Sequence, residues 1–188
     1  SLSPETPKRE IADKAIAHYL SLIRSDPGVE PPYDLHEVLV KGGGPMYASA
    51  IKALEDAGSQ KASDILTLVA IDPKAPQDTA GLAALALLSD KLSSRSAVSV
   101  NSIIENGDEL SLLVSRALSA IAAHGARDAL MIERINRFSR LIAFRREAKA
   151  TVRELLLQHE HIFGQGGDDA WPLLSLCARI EGCSKQNS

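Results

Sequence analysis

The sequence predicts an all-α fold: an irregular bundle of about eight or nine helices, with one long helix near the C-terminus. Three observations predict it. Aromatic residues make up 4% of a chain that is 45% hydrophobic, so the core must come mainly from Ala and Leu, which favour close-packed helices over strands. Apolar residues recur at gaps of three and four in several segments. Residues 126–163 contain neither Gly nor Pro, the longest stretch free of helix breakers.

The elements follow in order from local signals. Thr6 suits a helix cap and Pro7 the first helical position. Ile11, Ala15, His18 and Leu22 then repeat at gaps of 4, 3 and 4, with Ile16, Leu20 and Ile23 beside them, and Asp26-Pro27-Gly28 ends this helix. Asp34 is placed to cap a short helix through Val40. Gly42-Gly43-Gly44-Pro45 breaks it and opens the next, which runs to Ala57 and stops at Gly58. Ser59 or Ser63 opens another, through Ile71. Residues 72–77, with Pro73 and Pro76, read as a loop. Asp78 or Thr79 opens an Ala- and Leu-rich helix to about Leu92. Residues 93–106 read as loop and a short helix ending at Asn106-Gly107. Asp108 caps a helix to Ala123, closed by His124-Gly125. The long helix follows at 126–163, and Asp169 caps a last helix over 170–180. No fixed-period repeat names a solenoid family.

The 188 residues suit a single domain, with lobes at 1–77 and 78–188 as the natural division. A first residue of Ser rather than Met leads us to expect a fragment of a larger protein. The longest apolar run, 82–88, is too short to span a bilayer, and no signal peptide is visible. Two cysteines, Cys177 and Cys183, cannot define a disulfide framework, so a soluble protein of a reducing compartment is expected. The net charge of −3 argues against bulk nucleic-acid binding. The charge is unevenly placed: residues 1–70 sum to −3, whereas residues 126–163 sum to +3.

Motifs exclude more than they identify. The glycine turn at 42–44 precedes a helix, where backbone N–H groups can hold a phosphate. It lacks the Lys-Ser/Thr of a P-loop and the spacing of a dinucleotide fingerprint, and Pro45 removes a donor, so a flexible turn is the better reading. His159-Glu160-His161 has the wrong spacing for one helical face, so no metal ligands are assigned. Cys177 lies in an apolar helical context and reads as a buried structural thiol. No nucleophile elbow and no His-Glu-x-x-His pattern is present. We assign no catalytic residue, metal or cofactor.

The basic segment is the candidate site. It carries Arg127, Arg134, Arg137, Arg140, Arg145, Arg146, Lys149 and Arg153. At about 100° per residue, Met131, Phe138, Leu141, Ile142, Val152 and Leu156 share one face. Arg127, Arg134 and Arg145 fall on that same face, with Lys149 beside it. Glu133–Arg137 is a favourable i, i+4 pair, while Arg145 and Lys149 have none. Three readings stay open: the helix breaks between Ala143 and Ala148, the stems pack while the charged heads reach acids in the first 125 residues, or the face meets an acidic partner. The candidate partner-binding residues are Arg134, Arg137, Arg145, Lys149 and Arg153.

The expected function is therefore a helical protein–protein interaction domain without a self-contained catalytic site. The length, the Ala/Leu/Arg-rich helical make-up, the linker-like start Ser1-Leu2-Ser3-Pro4-Glu5-Thr6-Pro7 and the polar end at 182–188 carry one resemblance. In these the chain is similar to the helical C-terminal ubiquitin-ligase domain of the Xanthomonas outer protein L family of type III effectors. That resemblance implies a domain delivered by a bacterium into a plant cell, where it binds a ubiquitin-charged conjugating enzyme and a substrate. It implies E3 ubiquitin-ligase activity with neither zinc nor a catalytic cysteine. No motif carries it, so no residue role is transferred.

Overall fold

The computed structural model describes residues 6–88 and 107–124, together with the helical residues Leu130, Glu133, Arg134 and Arg137. The described residues form six helices and no strand: α1 (Thr6–Ser25), α2 (Leu35–Leu39), α3 (Pro45–Ala57), α4 (Gln60–Ile71), α5 (Gln77–Leu87) and α6 (Gly107–His124). The protein is all-α. Most of the expected long helix, the last helix, the segment 93–106, His159, His161, Cys177 and Cys183 lie outside the described residues.

Helix ends follow local chemistry. Gly44 sits at φ 101°, a backbone that side chains rarely adopt, and its carbonyl accepts the first helical bond of α3 from Ala48 N–H. Pro45 then supplies the pre-set first residue. Gly58 closes α3 in the left-handed conformation. Ser59 caps α4, its Oγ accepting from Ala62 N–H at 3.1 Å.

Two expected helix starts differ in their capping. Asp34 precedes α2 but makes no side-chain cap. The helix α5 starts at Gln77, before Asp78 and Thr79. Thr79 Oγ1 instead donates to Gly42 O at 2.8 Å, and Asp78 Oδ1 pairs with His124 Nε2. Tertiary partners have taken side chains that local chemistry would use at a helix end.

The helix α5 is the centre of the bundle. Every residue from Thr79 to Leu88 is buried, the pattern of a helix covered on all sides. It packs on α3, α4 and α6, while α1 packs on α2 and α3. One continuous buried cluster runs from Ile16 in α1 to Ile121 in α6. The start of α5 meets the end of α6 through Asp78 and His124, and Gly81 lies against Arg116 and Ala120, so the two helices run antiparallel. A Cβ on Gly81 would stand 2.8 Å from Arg116 O and 2.9 Å from Ala120 Cβ, so glycine sets how closely these helices approach. Arg116 also reaches the end of α4, donating to Ala70 O and, at 3.1 Å, to Asp72 O. Carbonyls at a helix C-terminus lack a following helical N–H, and here the guanidinium serves Ala70 O and joins Ala75 N–H on Asp72 O.

The inward face of α1 differs from the expected one. Ala12, Ile16 and Tyr19 are buried, with Ile23 packed against the core. Ile11 is 68% exposed and Leu22 40% exposed, His18 is exposed and Ala15 half-buried. The two stripes have the same 4, 3, 4 spacing and differ by one residue, about 100° of rotation. The stripe with Tyr19 buries the larger apolar surface, whereas the other would bury a His in that place.

Candidate functional site

The described part of the basic segment docks on the bundle. Arg134 is 3% exposed, and so is the side chain of its partner Glu55 in α3. Arg134 Nε and Nη2 both donate to Glu55 Oε2, at 2.9 and 2.7 Å. Its remaining nitrogen, Nη1, has no hydrogen-bond partner among the described residues. This is the second of the three arrangements open from the sequence: the stem packs and the charge reaches an acid in the N-terminal part. Arg137 is turned to its own helix, donating to Glu133. Arg145, Lys149 and Arg153 lie outside the described residues.

Beside Arg134 is a cavity of about 170 Å³, lined by Ala48, Ser49, Lys52, Leu82, His124, Leu130 and Arg134. Four elements build it, α5 contributing Leu82. The helix α3 contributes Ala48, Ser49 and Lys52, α6 contributes His124 at its last residue, and the basic segment contributes Leu130 and Arg134. Among the described residues its polar lining is Ser49 and three basic side chains. The matching carboxylates, Asp56 for Lys52, Asp78 for His124 and Glu55 for Arg134, bind those bases without lining the cavity. The Lys52 and His124 pairs are partly exposed, whereas the Arg134 pair is buried.

Ser49 and Lys52 also border a second cavity of about 360 Å³, with Tyr19, Ile23, Pro27, Val29, Ala53, Asp56 and Ala57. Burial pushes the Tyr19 hydroxyl up to about 12, with Glu30 adding to the rise. Tyr47 is also raised to about 12, first by burial and then by its 2.8 Å hydrogen bond to Asp13.

The glycine turn is occupied by its own chain. Gly42 O accepts from Thr79, and the Tyr47 ring covers Gly42 so closely that a Cβ there would meet it at 2.4 Å. The turn is in contact with α3 and α5 through Tyr47 and Thr79, and Tyr47 reaches α1 at Asp13. Among the described residues, no group of three or more His, Cys, Asp or Glu side chains is placed to hold a metal ion. No helix there is long and apolar enough to cross a membrane.

Arg134 alone of the cavity's polar residues is singled out by the sequence, through its place on an apolar helical face. Ser49, Lys52 and His124 carry no such signal: Lys52 reads as half of an i, i+4 pair and His124 as a helix end. Comparison with protein-family models, with curated proteins and with solved structures returned no match.

Proposed function

We propose that this chain is a helical protein-interaction domain that binds its partner through the outer stripe of α1. The observation that carries it is the pair Ile11 and Leu22, large apolar side chains exposed on a helix whose other face is buried. With Ala15 and His18 they form one stripe three helical turns long, the surface a second amphipathic helix packs against. Lys8 and Lys14 are exposed on its flanks, so the partner helix carries acids beside its apolar stripe. Covering Ile11 and Leu22 contributes on the order of 3 kcal/mol before the costs of association.

Screening a library of acidic amphipathic helical peptides against the chain and its Ile11→Asp, Leu22→Asp double variant tests this reading. Peptides held by the parent and lost by a folded variant support it. Peptides held equally by both sink it, as does a screen without binders.

Arg137, Arg145, Lys149 and Arg153 are a second proposed contact, for an acidic partner surface. Reversing the charges of Arg145 and Lys149 without changing partner affinity removes that surface. A ubiquitin-conjugating enzyme is the partner that the family resemblance adds. Ubiquitin chains that still form after Cys177→Ser and Cys183→Ser support a ligase without a catalytic thiol, and no chains with any conjugating enzyme removes it.

A further inference from the structure

We infer that the cavity between α3, the end of α6 and Arg134 is a binding site for a small tetrahedral oxyanion, inorganic phosphate or a phosphate monoester. Among the described residues its charge character is one-sided at the wall: Lys52, His124 and Arg134 line it with Ser49, and no described carboxylate does. Arg134 is 3% exposed and presents Nη1 without a hydrogen-bond partner among the described residues. Nη1 is not among the buried side-chain atoms left without a partner, so solvent reaches it and an anion there can accept from it.

Three features narrow the ligand. The volume of about 170 Å³ lies below the roughly 300–1,000 Å³ of sites for drug-sized molecules, so the bound group is small. The Nε–Nη2 edge of Arg134 is already on Glu55, so a planar carboxylate cannot take that edge bidentately. Single donors arriving from three separate elements suit an acceptor whose oxygens point in several directions. Ala48, Leu82 and Leu130 form the apolar remainder of the wall among the described residues.

The carboxylates explain how the bases sit together without a ligand. Asp56 and Asp78 hold Lys52 and His124 in partly exposed pairs, which are weak and exchange readily for an anion. Glu55 keeps Arg134 in place throughout. The site is independent of the α1 stripe, so either can fail alone.

The test is a titration of the full chain with inorganic phosphate at constant ionic strength, read by calorimetry and by melting temperature. Saturable binding is expected. Lys52→Gln and His124→Gln should each weaken it roughly tenfold, the loss of one charge-assisted hydrogen bond. Lys74→Gln, on the exposed 72–76 loop, should leave it unchanged. A response matched by chloride, or one unaltered by Lys52→Gln and His124→Gln, overturns the inference. Competition by a phosphoserine peptide, or by vesicles carrying a phosphoinositide, identifies the source of the phosphate. Failure of both to compete, with phosphate binding retained, assigns the site to free phosphate.

Discussion

Replacing Glu55 by Met removes the acceptor of two Arg134 donors while keeping most of the side chain's volume. Both partners are 3% exposed, so the variant strands a guanidinium out of water. Removing one member of a buried ion pair costs about 3–5 kcal/mol, mostly the desolvation of the charge left behind. For a chain of this length, 3 kcal/mol lowers the melting temperature by roughly 6–12 °C. Arg134→Met strands the carboxylate instead and should cost a similar amount. The double variant places two thioether chains together, and well-packed apolar replacements of buried pairs are often neutral. It should therefore be more stable than either single variant. Urea unfolding followed by far-ultraviolet circular dichroism measures all four proteins, with equal slopes confirming that the same surface unfolds. Because the pair is buried, raising the salt concentration should change the coupling little. Single costs below about 0.5 kcal/mol that simply add in the double variant would refute the docking of Arg134 on α3.

Three further outcomes are expected. Gly81→Ala gains about 1 kcal/mol of helix propensity but forces a Cβ against Arg116 O and Ala120, an overpacking cost of about 3 kcal/mol, for a net loss of about 2; a variant as stable as the parent in urea would show that α5 and α6 are not so close. Ser59→Ala should lose about 1 kcal/mol, the worth of one N-cap, and Ser59→Asp should restore most of it in the same assay. Tyr19 and Tyr47 keep their protons up to about pH 12, against 10.0 for the free side chain. The folded state holds these protons more tightly, so the stability they reflect is complete below pH 10 and is lost as pH rises from 10 to 12. Urea midpoints measured across that window should fall more steeply for the parent than for a Tyr19→Phe, Tyr47→Phe variant, and parallel profiles would exclude the two phenols as the cause.

Neighbouring residues decide where a helix can begin and stop, and these points were legible. Gly44-Pro45, Gly58, Ser59 and Asp26-Pro27 mark ends that the backbone adopts because positive φ, a missing N–H or a cap leaves few alternatives. The burial of α5 was foreshadowed by its apolar run at 82–88, which has no polar face to show to water. The candidate cavity was not legible. Ser49, Lys52, His124 and Arg134 come from three elements, and nothing in the spacing of the first three distinguishes them from surface residues.

The sequence by itself determined the helical class and most of the ends of the described helices. Each of these depends on propensity, turn geometry or periodicity within a few residues. Only the tertiary structure decided which of two equally spaced stripes on α1 is covered, that Asp78 and Thr79 serve distant partners, and that Glu55 receives Arg134. Periodicity states that a face exists without saying what will lie on it, and a buried charge must find its counter-charge wherever packing brings one. That choice is made across 79 positions of chain, beyond the reach of any local rule.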